Sequence, residues 1–334
     1  MKPREVILTI RQNLISAFKQ YEYIFIPVLR FLLSLSTLRL LRNVTNYEGL
    51  LSNILVLVGI SFIGTFVSAD WIITLTIFLV TIFMAGSNLL FAIILFIGMW
   101  CIYVLYAKLF PREGLLIIAT LVAFSMKLEL VIPIVGALFG TYMSIVAIII
   151  GIILWFTLPT IKSILPVISL EKDVLLDTFN QLMAINYREI LMNTEMMVTI
   201  VIFFIVFSAI YIIRKQSIDY GPYIAIAVGA VMNILGFGFA IIFFENIEIN
   251  LLVISLETIG FSLVAIVMQF LYIALDYHRA EMVNFEDDDN YYYVKIVPKI
   301  QLTHKHKLVK RIYVEGSSKD DQSMTQGQDI NIDL

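Results

Sequence analysis

The chain has 334 residues, 60% of them hydrophobic and only 15% charged, with a formal net charge of −3. Soluble domains average about 25% charged residues, so this composition excludes an ordinary water-soluble domain, and the lack of a basic excess excludes nucleic acid as a partner. One cysteine, Cys101, excludes a disulfide framework within the chain and a cysteine-built metal site.

The segment Met1–Glu5 does not lead into a short apolar stretch followed by small residues, so no cleavable signal peptide is expected. From Val6 to Gln20, Ile7, Ile10, Leu14 and Phe18 recur at helical spacing, with Arg11, Gln12, Lys19 and Gln20 mostly elsewhere on the wheel. Residues 1–22 therefore read as an amphipathic helix on a membrane surface; a plain cytoplasmic helix is the alternative. Eight crossings follow from the apolar runs: Tyr23–Leu41, Leu50–Ser68, Trp71–Ala85, Leu89–Ala107, Phe139–Leu158, Met196–Ile213, Gly221–Phe244 and Asn250–Leu275. The third and fourth come from one run, Trp71 to Ala107, which holds 37 residues and no charge. As a single helix it would be about 55 Å long at ~1.5 Å per residue, against a hydrocarbon core of ~30 Å. Gly86, Ser87 and Asn88 supply a turn at its middle.

The segment Leu115–Leu138 is different. Leu115–Ser125 is too short to span, Lys127 and Glu129 follow, and Pro133, Gly136 and Gly140 come after. This pattern predicts a re-entrant hairpin with Lys127 and Glu129 near its tip. An outer loop over 161–195 alternates Val174, Leu175, Phe179, Leu182 and Met183 with polar residues in a helical rhythm. A shift of 89 residues aligns Pro133 with Pro222, Gly140 with Gly229 and Met143 with Met232, the pattern of an internal repeat or of chance among apolar residues. In the tail, Tyr291–Val297 and Leu308–Val314 are candidate strands, and residues 316–334 are polar enough to be disordered.

The expected fold is thus all-α and polytopic: about eight transmembrane helices over 23–275 plus a re-entrant hairpin, with a small β-containing cytoplasmic tail over 276–315. Placing both termini inside puts 16 of the 23 Lys and Arg residues on the inner side and four outside, which predicts a multi-pass cell-membrane protein with both termini cytoplasmic.

Charges inside apolar segments are costly and mark pathways. Arg30, Lys127, Glu129 and Glu257 are accordingly the candidates for a solute or ion pathway. Competing roles are snorkelling to headgroups for Arg30, a surface ion pair for Lys127 and Glu129, and a water-reached structural position for Glu257. Asn88, Asn233 and Gln269 suit interhelical hydrogen bonds, and Gly136-x-x-x-Gly140 suits close helix packing. The run Glu286-Asp287-Asp288-Asp289 is either a solvated linker or a site that docks a basic partner or holds a divalent cation. Glu286, Asp287, Asp288 and Tyr292 are the partner-docking candidates. All three histidines, His278, His304 and His306, lie in the tail. No catalytic motif, resident metal or cofactor is expected.

The stretch Asp276-Tyr277-His278-Arg279-Ala280-Glu281, with Val283-Asn284-Phe285-Glu286-Asp287-Asp288 and Tyr291-Tyr292-Tyr293-Val294-Lys295-Ile296-Val297-Pro298-Lys299, resembles uncharacterised multi-pass membrane proteins of clostridial Gram-positive bacteria, sometimes labelled ABC transporter permease. Ser217-Ile218-Asp219-Tyr220 fits the same pattern, while His278 and Asn290 depart from it. The resemblance implies a bacterial cytoplasmic membrane and no established activity. Two functions are expected to compete: a transporter-like or permease-like protein, and a non-transporting scaffold docking cytoplasmic partners through its tail. The bilayer, a tail-bound protein and a second copy of the chain are the partners these functions call for.

Overall fold

The computed structural model describes residues 3–45, 53–66, 69–85, 89–164, 193–216, 218–244, 250–272, 280–287 and 290–298. The helices in chain order are α1 (Pro3–Gln20), α2 (Glu22–Thr45), α3 (Ile54–Thr65), α4 (Ala69–Ala85), α5 (Leu89–Ile102) with a π-helical extension (Tyr103–Ala107), α6 (Pro111–Ser125), α7 (Val131–Phe139), α8 (Ser144–Ile164), α9 (Thr194–Lys215), α10 (Gly221–Phe243) and α11 (Leu251–Tyr272). A hairpin of β1 (Glu281–Glu286) and β2 (Tyr291–Ile296) follows. Four helices are long and apolar enough to cross a bilayer: Glu22–Asn43, Thr194–Lys215, Gly221–Phe243 and Leu251–Tyr272. They mark the chain as a membrane protein. Shorter apolar helices stand where the other crossings are expected, Ile54–Thr65, Trp71–Ile82, Ala92–Ala107 and Ser144–Thr157.

The local reasons for these helices are visible at their ends. The Asn53 side chain accepts from the Leu55 N–H, and Asn193 from the Met196 N–H, each occupying a donor that the first helical turn leaves unpaired. Pro111 and Pro222 sit in first turns, where a missing N–H costs nothing. Arg214 and Lys215 close α9, opposite the negative end of its dipole. The long uncharged run forms two separate helices, α4 and α5, packed through Phe78, Phe96 and Trp100. The turn residues between them, 86–88, lie outside the described residues, as do most of the outer loop, Leu308–Val314 and the final tail.

Helices α6 and α7 form a tight hairpin. Lys127 adopts a left-handed backbone with φ 57°. Leu128 N donates to Ala123 O at 2.8 Å and Lys127 N to Phe124 O at 3.2 Å, the paired bonds of a Schellman stop. A β-carbon costs about 1–2 kcal/mol in this conformation, so Lys127 stands where glycine is the favoured residue. The feet of the hairpin are tied together, with Thr141 Oγ1 donating to Glu113 Oε1 at 3.0 Å. Arg214 of α9 donates to the Leu138 and Gly140 carbonyls, satisfying the free end of α7.

The expected helix over Phe139–Leu158 is corrected at its start. Gly140 is extended, with ψ −176°, and α8 begins only at Ser144. The Thr141 N–H donates to Ser144 Oγ at 3.1 Å and starts the new helix. The pair Gly136 and Gly140 divides its work. Gly136 lets α7 approach Ile148 and Phe207, whereas a β-carbon at Gly140 would meet the Gly136 carbonyl oxygen at 2.5 Å. The 89-residue shift has no structural counterpart: Gly140 ends a helix, but Gly229 lies inside the unbroken α10.

The largest apolar cluster surrounds α9, whose Phe203, Val206, Phe207 and Ile210 are fully buried. Phe203 meets Phe124 of α6 and Phe237 of α10. Smaller clusters join α2, α3, α4 and α5 around Leu57, Val80 and Met84, and α4 to α6 around Ile73, Ile77 and Ile118. One end of the bundle is basic. Arg11 reaches Phe270 O and Leu271 O at the end of α11, Tyr272 packs edge-on to Phe139, and Lys295 pairs with Asp219 at 2.7 Å.

That last pair ties the β hairpin to the loop between α9 and α10. β1 and β2 are antiparallel, with Phe285 opposite Tyr292 and their rings stacked 4.8 Å apart. The acidic run is not a plain linker, because Asp287 forms the hairpin turn. Asn290 N donates to Asp287 Oδ1 at 2.7 Å and Asp287 N to Asn290 O at 3.0 Å.

Candidate functional site

Glu129 lies in the turn of the α6–α7 hairpin, just past the helix stop at Lys127. Lys127 is exposed and Glu129 is half-buried. The Oε2 atom of Glu129 is buried and has no hydrogen-bond partner. Glu257 of α11 repels this carboxylate and Lys127 attracts it. Three of the four pathway candidates are thus linked electrostatically through Glu129.

Arg30 is elsewhere. It is half-buried on α2, whose main neighbours are α1, α3, α4, α6 and α8. The fold places it on α2, which packs on none of α7, α9, α10 and α11 among the main helix pairs.

Other polar groups collect in the carboxy-terminal helices. Asn233 on α10 is fully buried, and neither its amide nitrogen nor its amide oxygen has a partner. The expected interhelical hydrogen bond of Asn233 is absent among the described residues. Thr258, next to Glu257, is also fully buried with an unpartnered hydroxyl. The hydroxyls of Ser262 on the same helix and Ser208 on α9 are likewise unpartnered. Each such group costs about 1–3 kcal/mol when left unpaired. The elements that carry them pack together: α7 on α9, α10 and α11, and α10 on both α9 and α11.

Elsewhere the hydroxyls follow a different rule. Those of Thr37, Ser61, Thr65, Thr76, Thr81 and Thr120 each donate to the carbonyl four residues earlier. This back-bonding is the usual solution for a hydroxyl in an apolar helix. Ser255 shows that it is available to α11 as well. The exceptions at Thr258 and Ser262 are thus particular to the buried face of α11. The sequence did not single out Thr258, Ser262 or Ser208; their signal is only a polar residue on a buried stripe, which is legible once Ile254, Thr258, Ser262, Ala265 and Gln269 are seen to share one face.

Across these packed helices the polar groups are hard oxygen donors: two carboxylates, three hydroxyls and an amide oxygen. That chemistry suits a proton or a hard cation and gives no nucleophile–base pairing. A separate pocket of about 50 Å³ lies among α4, α5, α6 and α8, bordered by Ile73, Thr76, Met99, Tyr103, Ile117 and Leu154. None of the four pathway candidates borders it.

Of the docking candidates, Glu286, Asp287 and Tyr292 are exposed on the β hairpin, and Asp288 lies outside the described residues. Comparison with known proteins found no matching family model, no matching curated protein and no matching solved structure.

Proposed function

We propose that this chain is a transporter-like or permease-like protein of a bacterial cytoplasmic membrane, crossing the bilayer eight times with both termini inside. In this reading α6–α7 is a re-entrant hairpin entering from the basic end of the bundle. Its tip brings Glu129 to Glu257 within the membrane, and the pair binds a proton or hard cation that couples to an unidentified solute. The observation that carries the proposal is the buried Glu129 Oε2, which has no hydrogen-bond partner and lies in the field of a second carboxylate, Glu257. An intramembrane carboxylate is a pathway residue by default, and half-helices ending at membrane depth recur in transporters. The tied feet of the hairpin and the basic residues at that end support the inner-side entry. The chain's resemblance to clostridial multi-pass proteins supports the compartment. No catalytic chemistry or cofactor is invoked.

The test is thermal unfolding of the purified protein in sodium, potassium or lithium chloride, each against choline chloride, repeated across pH. Binding to the folded state alone stabilises by about 2.7 kcal/mol at a hundred times the dissociation constant. A cation- or proton-dependent rise in Tm, lost in both E129Q and E257Q, is expected. No dependence on any cation or on pH around the carboxylates would end the proposal. Topology is checked separately with T325C and with N180C, each in a C101A background. Labelling of position 325 but not 180 from outside, by an impermeant thiol reagent, would reverse the orientation.

A scaffold role has its own support in the β hairpin, whose Phe285, Tyr291, Tyr292 and Tyr293 stand exposed beyond the bundle. On that reading E129Q and E257Q are tolerated, and deletion of 285–314 abolishes function.

A further inference from the structure

Helix α1 has an apolar face that is left largely exposed among the described residues. Val6, Ile10, Leu14 and Phe18, spaced four apart, are between 40% and 53% exposed. Two contacts fix where this face lies. Arg11 Nε donates to Phe270 O at 2.8 Å and Nη2 to Leu271 O at 3.3 Å, with the guanidinium 5.7 Å from the Phe270 ring centre. The charge caps the carbonyl end of α11, where a cation is favoured by both hydrogen bonding and the helix dipole. Phe18 stacks on Phe25 of α2 at 5.5 Å. The ends of two helices long enough to span thus hold α1 at the boundary of the membrane-crossing region.

The exposed stripe of α1 also continues into the outer face of α2, where Ile24, Phe25, Val28, Leu29 and Leu32 are exposed. On a spanning helix that face meets lipid, so the two surfaces share one solvent.

The wheel of α1 has three distinct arcs. At about 100° per residue, Val6, Ile10 and Leu14 form one side. Arg11 and the half-buried Ile15 lie about a quarter-turn further on, toward the bundle. Exposed Lys19 and Ser16 follow on the side opposite Ile10 and Leu14, and exposed Gln20 closes the circle toward Val6. Apolar-exposed, protein-facing and polar-exposed arcs therefore come in that order. This is the order for a helix lying flat at a bilayer surface against the flank of a bundle.

We infer that α1 is an interfacial strap whose partner is the lipid surface. Val6, Ile10, Leu14 and Phe18 enter the headgroup–acyl boundary, and Arg11 binds the strap to the last helix. The inference requires only that the chain spans a membrane and is independent of what, if anything, it transports.

The test uses the full chain in phosphatidylcholine nanodiscs, with the single cysteines I10C, L14C, F18C and S16C in a C101A background, each carrying a nitroxide. Electron paramagnetic resonance reads accessibility to oxygen, which partitions into lipid, against a nickel chelate, which stays in water. The oxygen-to-nickel ratio is expected to be several-fold higher at 10, 14 and 18 than at 16. Equal nickel accessibility at all four positions would mean a solvated helix and overturn the inference. Low accessibility to both reagents at 10, 14 and 18 would mean that a second copy or another protein covers the face, and would also overturn it.

Discussion

The helices α2–α6 and the helices α7–α11 are both built from apolar segments, yet they differ in how they treat buried polar side chains. In the first group, buried Thr37, Ser61, Thr65 and Thr120 all return their hydroxyl protons to their own helix. In the second, Asn233, Thr258, Ser262 and Ser208 leave polar atoms unpaired, and Glu129 adds a carboxylate oxygen at their edge. The second group also holds the largest apolar cluster, with Phe203 and Phe207 at 0% exposure. The unpaired groups are therefore not the mark of a loose region. The helices that carry them also carry this buried apolar core.

The comparison is sharpened first by its packing. F203A should cost about 3–5 kcal/mol, because Phe203 fills space between Phe124 and Phe237. M84A, in the smaller amino-terminal cluster, should cost less, about 2–3 kcal/mol, since its surroundings can collapse more readily. Denaturation in mild detergent, followed by near-ultraviolet circular dichroism, measures both. Equal losses would mean that the two groups are packed alike.

The polar contrast makes a prediction of opposite sign. N233L removes two unpaired atoms at similar volume and should raise stability by about 1–3 kcal/mol. T120V removes a hydroxyl already bonded to Leu116 O at 2.6 Å and should change stability by less than about 1 kcal/mol. On the proposed function, N233L also weakens the cation-dependent rise in Tm, so that stability and response separate. A destabilised N233L would show that Asn233 is satisfied in the working protein and would remove the contrast.

The smallest effect concerns Lys127. K127G relieves the left-handed strain at the hairpin tip and should stabilise by about 1 kcal/mol. Lys127 is also the charge that attracts Glu129. If that charge serves the site, K127G is more stable and less responsive to cations, whereas K127N, which tolerates the same backbone, separates the backbone effect from glycine flexibility. Unchanged stability in K127G would mean that the tip relaxes freely and holds no strain.

Much of the helical layout is legible in the residues. The uncharged run from Trp71 to Ala107 is too long for one crossing, and it forms α4 and α5. The short arms around Lys127 and Glu129 predict a break, and the turn falls at 126–130. These features are local: length, charge and turn chemistry act within a few residues. The strand at Tyr291–Val297 is legible for the same reason, being dense in β-formers. β1 is not, because Glu281, Asn284 and Glu286 are poor strand formers and only pairing with β2 holds them extended.

The amino-acid sequence by itself determined that this protein belongs in a membrane, since hydropathy is summed along the chain and needs no fold. It also determined which charges are expensive there. Tertiary structure alone decided which of those charges feel one another, putting Glu129 in the field of Glu257 while leaving Arg30 on α2 among other neighbours. It alone decided that Arg11 and Arg214 serve as caps on helices far away in the chain. The physical reason is that both kinds of contact join residues separated by dozens to hundreds of positions. No local propensity encodes such a meeting, and it exists only once the helices have packed.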